Sequence, residues 1–265
     1  MKYKYLSDTV EVKTIEEKDN KGVFHIEGLY TGYGITLANS LRRSLLSSIP
    51  GAAISKVKIK GVKHEFSTVP GMKEDVVEFS LNLKKVSFNF MADEPQVIKL
   101  KKKGEGDVTA GDIKSSTLVE VVNPDVHIAT LTDKKAELDI EITVEKGLGY
   151  VPAEERKSDE RLPIGTIVLD CIFSPVKNVS FNVENMRVGE RTNYNRIELT
   201  IETDSSISPS DALRKAGSIL QDHYRKVVEA FKSEEELAEE KEEKEKEEDK
   251  DKDKEKDKKD KKKKK

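Results

Sequence analysis

The sequence has no tryptophan, a single cysteine and no run of 18 apolar residues. One cysteine, Cys171, excludes an intramolecular disulfide framework and suits a reducing compartment. Without a long apolar run there is no membrane-spanning helix. The opening Met1-Lys2-Tyr3-Lys4-Tyr5-Leu6-Ser7-Asp8 lacks the apolar stretch of a secretory signal. The expectation is a cytoplasmic chain with no membrane partner. His25, His64, His127 and His223 are scattered, none three or four residues from another, and no Cys-x-x-Cys occurs, so no metal site is expected. There is no Gly-x-Ser-x-Gly elbow and no Asp-rich triad before residue 233. A stand-alone enzyme with a pocket in residues 52–174 has only size in its favour.

Charge is abundant and unevenly placed. Residues 233–265 hold 16 acidic and 14 lysine side chains, which leaves 35 acidic and 34 basic residues in the first 232. That body is ordinary for a soluble domain and long enough to bury a core. Its near-neutral balance argues against a dedicated nucleic-acid binder. The tail is bipolar, net −8 over 234–249 and net +6 over 250–265. With Leu237 and Ala238 as its only hydrophobes it is expected to be disordered. Its terminal Lys261–Lys265 run permits at most weak, non-specific contact with DNA.

Periodicity organises the body. Thr9–Ile15 and Val23–Leu29 read as a hairpin around Lys18–Gly22. A helix follows from about Thr36 to Ile49, stopped by Pro50-Gly51. In Lys56-Val57-Lys58-Ile59-Lys60 the lysines alternate with apolar residues, as in a half-buried strand. A short helix over Lys73–Lys84 precedes strand-like runs at 86–91, 96–102, 117–122, 126–131 and, most clearly, Ala136–Val144. A loop rich in Gly, Pro and charge covers 146–163, and strands return at 165–173, 177–188 and 195–203. Ser208-Pro209-Ser210-Asp211 then opens a helix to about Phe231. The fold class expected is α+β, with two long helices near the two ends of the body.

Three features invite a functional reading. Gly32-Tyr33-Gly34 before a helix suggests a phosphate loop, but it departs from both standard glycine patterns, and a turn with close backbone packing is the better reading. On the helix 36–49, Leu37, Ala38, Leu41, Leu45 and Ile49 share one arc, and Asn39, Ser40, Arg43, Ser44, Ser47 and Ser48 the other. Exposed helix faces usually prefer Lys and Glu, so four serines around one arginine suggest close approach by a partner or by another part of the chain. On the last helix, Leu213, Ala216, Leu220, Tyr224, Val227 and Phe231 form one apolar stripe, suited to a partner helix or to the chain's own core.

The stretch Gly32-Tyr33-Gly34-Ile35-Thr36-Leu37-Ala38-Asn39-Ser40-Leu41-Arg42-Arg43-Ser44-Leu45-Leu46-Ser47-Ser48-Ile49-Pro50-Gly51 resembles the signature helix of the bacterial RNA polymerase alpha subunit family. Gly61–Thr68, Glu74-Asp75-Val76, Leu81-Asn82-Leu83-Lys84, Gly149–Ala153, Leu162–Gly165, Ser174-Pro175-Val176, Asn182-Val183-Glu184 and Arg191-Thr192 follow in the same order. The resemblance covers roughly residues 5–232. It implies a discontinuous dimerisation subdomain with two long helices (1–51 and 175–232), a strand-rich insert (52–174), and a disordered Glu/Lys tail at 233–265. It also implies a homodimer that scaffolds the beta and beta-prime subunits, carries no cofactor, and leaves magnesium and catalysis to beta-prime.

Residue by residue, Arg43, Leu46, Glu78, Lys84 and Leu169 match positions that the family uses against a large subunit. Tyr33, Leu37 and Leu41 match the dimer side of the first helix. Leu220, Tyr224 and Val227 are dimer candidates from the stripe alone. Ser44 stands where the family usually has a larger aliphatic residue, so the helices there either approach closely or leave a gap. The family's carboxy-terminal DNA-binding domain has no counterpart after residue 232, and specific upstream DNA recognition is not carried over; a paralogue serving another complex is the remaining alternative.

Overall fold

The computed structural model describes Leu6, residues 8–157, Pro163 and residues 165–231. The disorder expected for 233–265 lies outside these residues. Residues up to Ile219 form one unit and Leu220 onward a second.

The chain opens with a hairpin, β1 (Glu11–Lys18) and β2 (Lys21–Leu29), joined by Asp19-Asn20. Asp19 takes positive φ (49°), so the turn is tighter than the five-residue segment expected. The long helix α1 (Tyr33–Ser47) leads into β3 (Gly51–Ile59) and the short helix α2 (Val76–Leu83). Asp75 caps α2 by accepting from the Glu78 N–H at 2.7 Å. The middle of the chain then supplies β4 (Phe88–Phe90), β5 (Gln96–Lys103), β6 (Gly106–Thr109), β7 (Ile113–Lys114), β8 (Val119–Val121), β9 (His127–Leu131) and β10 (Glu137–Gly147). The segment expected to be loop contains β11 (Tyr150–Val151) and a short helix, α3 (Ala153–Lys157). The run 165–173 divides into β12 (Thr166–Val168) and β13 (Cys171–Ile172). The last two strands, β14 (Val176–Val188) and β15 (Arg191–Thr203), precede α4 (Pro209–Ala230).

Two main antiparallel sheets result. The first, in the order β1-β2-β15-β14, joins strands from both ends of the body, with Phe24 opposite Leu199 and Ile26 opposite Ile197. All four of those side chains are buried. The second, in the order β12-β3-β10-β5-β7, is drawn from the middle of the chain. Its inner face (Ile98, Leu100, Ile140, Ile142, Val57 and Ile59) forms one core with Val76, Phe79 and Leu83 of α2. Strict alternation on β10 makes this possible: Leu138, Ile140, Ile142 and Val144 are buried, and the residues between them face outward.

One buried carboxylate ties the approach to α2 to β9. Glu74, 8% exposed, accepts the Thr130 N–H at 2.7 Å and lies 3.3 Å from His127 Nε2. Burial alone would raise its pKa; the Thr130 N–H and His127 outweigh that and hold it below the usual carboxylate value.

Candidate functional site

Helix α1 begins three residues earlier than its apolar period suggests, because its first turn is capped from another strand. Gly32 sits at φ +87°, and the N–H groups of Gly32 and Gly34 both point at Asn195 Oδ1, at 2.9 and 3.4 Å. Asn195 Nδ2 in turn donates to Asn185 Oδ1 at 3.2 Å. A Cβ at Gly34 would stand 2.7 Å from Val183 Cγ1. The glycines thus allow a close approach to β14 and β15, and the chain's own amide fills the space that a phosphate would need.

Gly34, Ala38, Leu41, Ser44 and Leu45 form the buried side of α1, which packs on β14 and β15. Ser44 therefore does not belong to the exposed serine arc. It lies on the same side as Leu37 and Leu41, and its Oγ donates to the Ala216 carbonyl of α4 at 3.2 Å. Ser40 and Ser47 bond back to the carbonyls of Thr36 and Arg43, one turn earlier. Arg43 is exposed and makes no ion pair among the described residues. Leu46, one turn on, is 36% exposed. Tyr33 is half exposed, Leu37 partly buried, and Leu41 buried within its own chain.

A second group of the expected residues gathers at α2. Val76, Phe79, Ser80 and Leu83 face the core, and Val77, Glu78 and Leu81 point outward. Lys84 Nζ bonds Asp170 Oδ2 at 2.9 Å, and Asp170 Oδ1 accepts the Ala153 N–H at 3.0 Å. Lys84 and Leu169 share a depression of about 170 Å³ with Val77 and Leu81. Leu169 itself is buried in the core of the second sheet, with its N–H bonded to the Ser55 carbonyl at 2.9 Å. A partner would meet its surroundings more than its side chain. Helical spacing groups Val77 with Val76, Ser80 and Leu83, but Val77 faces outward with Leu81, four residues on; Leu81 was not singled out in the sequence as a site residue, and its i, i+4 spacing from Val77 is the signal that could have found it.

On α4 the start is as read: Ser208 Oγ accepts the Asp211 N–H at 3.2 Å. Pro209, Ala212 and Ala216 are buried. In the second unit, Leu220 is partly buried, whereas Tyr224 and Val227 are each 58% exposed and Val228 and Phe231 also face solvent.

Among the described residues, no three His, Cys, Asp or Glu side chains gather to hold a metal ion, and no helix is long and apolar enough to cross a membrane. Cys171 is fully buried; burial pushes its thiol pKa up despite the neighbouring Arg156, so it is a packed thiol and not an activated nucleophile.

The model of the RNA polymerase Rpb3/RpoA insert domain matches residues 57–174. The DNA-directed RNA polymerase subunit alpha of Symbiobacterium thermophilum is 51% identical over 214 residues, which cover 81% of this chain and 67% of the relative. That of Alkaliphilus oremlandii is 50% identical over the same shares. That of Prosthecochloris aestuarii is 46% identical over 237 residues, 89% of this chain and 72% of the relative. The chain spans about two thirds of the length of such relatives. With this identity along most of its body, and the glycine-led helix and insert sheet in place, the chain belongs to the DNA-directed RNA polymerase alpha subunit family.

Proposed function

We propose that this chain is the non-catalytic assembly subunit of DNA-directed RNA polymerase, a homodimer on which the beta and beta-prime subunits are mounted. Family membership carries the subunit role. The observation that supports the mounting role is on α1: Arg43 is exposed with no ion pair among the described residues, beside a partly exposed Leu46. A cation and an aliphatic group one turn apart suit an acidic, partly apolar partner surface. At α2 the exposed Val77 and Leu81 beside the Lys84–Asp170 pair offer a second, more apolar and charge-balanced patch. For the dimer, Tyr224, Val227, Val228 and Phe231 leave an apolar run on α4 that a second copy would cover; on the dimer side of α1, Tyr33 and Leu37 have surface to offer, whereas Leu41 is buried within its own chain. In this reading the chain binds no cofactor, magnesium works in beta-prime, and DNA is met through the assembled cytoplasmic enzyme.

Light scattering on the full chain, alone and with its own beta subunit, tests this. The expected result is twice the 29.8 kDa chain mass alone, and two copies per beta in the mixture. A monomer that ignores beta would overturn the proposal and leave a paralogue serving some other complex.

A further inference from the structure

The outer face of the five-stranded sheet carries more lysines than carboxylates. On β10, Glu137, Asp139 and Glu141 point outward, and across β5 each meets its own lysine. Lys103–Glu137 is 3.0 Å, Lys101–Asp139 2.8 Å and Lys99–Glu141 2.9 Å. That row of acids is therefore already paired. On its other side lie Lys56 and Lys58 of β3 and Lys60 just past its end, with Lys58 opposite Glu141 and the Lys60 N–H bonded to the Asp139 carbonyl. Lys58 and Lys60 are exposed, and neither makes a direct ion pair among the described residues. They border a shallow depression of about 220 Å³ with Asp139 and Glu141.

We propose that the Lys58/Lys60 row at the end of β3 is a docking surface for an extended acidic polypeptide segment of a partner protein, with carboxylates at alternate positions. Residues two apart on a strand are about 6.6–6.8 Å apart. An extended peptide repeats its side chains at the same interval, so one carboxylate can meet each lysine in turn. The paired acids of β10 lie one strand away, within about 5 Å. A single narrow chain can keep to the β3 side of them, whereas a nucleic-acid duplex would lay phosphates over both rows. Single-stranded nucleic acid is held largely by stacking on aromatic rings, and the outward positions of β3, β5 and β10 supply none. The alternation Lys56-Val57-Lys58-Ile59-Lys60 gives the row its outward direction, because Val57 and Ile59 are locked in the core.

The experiment is fluorescence anisotropy of a labelled (Glu-Ser)4 peptide with the full-length chain, beside labelled oligo(dT) of the same charge. The expected result is peptide binding that weakens as salt is raised and falls about fivefold or more in Lys58→Glu/Lys60→Glu. Asp139→Asn/Glu141→Gln, which removes the neighbouring negative charge without touching the row, should tighten it. Circular dichroism and light-scattering mass unchanged from the parent chain verify that both variants fold. Absence of peptide binding, or binding indifferent to both pairs of substitutions, would overturn the proposal. Tighter, Lys58/Lys60-dependent capture of oligo(dT) would overturn it in favour of a nucleic-acid backbone.

Discussion

Ser44 Oγ of α1 donates to the carbonyl oxygen of Ala216 on α4 at 3.2 Å, and both residues are buried. The bond ties α1 to α4 at a buried point, so the small serine at this position serves a polar contact between the two helices. Ser44→Ala should cost about 1 kcal/mol, the net worth of one such bond. Ser44→Leu should cost more, about 1–3 kcal/mol, by overfilling a buried position. Urea unfolding at fixed protein concentration reads both; a Leu variant as stable as the parent would mean that the site has room for the larger side chain.

Arg43→Ala should leave the fold and the dimer intact, since its side chain is exposed and makes no ion pair among the described residues. It should weaken binding to the large subunit by about 2–5 kcal/mol if the charge is buried and paired there. Leu46→Ala should show the same pattern more weakly. Calorimetric titration of each variant with beta measures the loss, and unchanged affinity for Arg43→Ala would remove α1 from the interface.

Val227→Glu places a charge in the exposed apolar run of α4. It should raise the dimer dissociation constant by roughly a hundredfold, as an unpaired charge in an apolar interface does, with helix content unchanged. Sedimentation equilibrium follows the shift toward monomer.

Asn195→Ala strips the shared acceptor from the N–H groups of Gly32 and Gly34. The expected loss of stability is about 1–3 kcal/mol, seen as a lower Tm. Inorganic phosphate should not restore it if the cradle is purely structural; recovery at millimolar phosphate would revive the phosphate-loop reading.

Glu74 sits below the ordinary carboxylate pKa, held by Thr130 and His127 against its burial. A carboxyl whose pKa is lower folded than unfolded stabilises the fold above its unfolded pKa, and that contribution fades as pH falls through its folded pKa. The stability of the parent chain should therefore drop on the acid side, and Glu74→Gln should flatten that limb. Urea midpoints between pH 3 and 7 test the difference.

How much of this was legible in the sequence depended on how local the cause was. The lysine alternation of β3 and the apolar alternation of β10 fix which face is buried, and both strands run through the expected segments. Ser208-Pro209 announced α4 within a residue, because a cap is a contact between near neighbours. The start of α1 was missed because Asn195 caps it from some 160 residues away. Ser44 was placed on the wrong face for a related reason: its partner, Ala216, is 172 residues distant, and a serine signals nothing about burial until that partner is known. Within the run 146–163 the brief pairing of Tyr150-Val151 with Cys171-Ile172 left no periodicity to read.

The four-stranded sheet also has a kinetic consequence. Phe24 packs opposite Leu199, so β2 is made early but cannot be paired on that side until about 175 further residues have been added. At 5–20 residues per second, that is a wait of roughly 10–35 s on the ribosome. The five-stranded sheet needs nothing beyond Val168 and can close first. Synthesis thus finishes the five-stranded sheet before the four-stranded one, and the β1–β2 hairpin spends that interval as an open edge. Chaperones and neighbouring nascent chains have their access then, and substitutions that slow β15 should show as lower yield even where the finished protein is as stable as before.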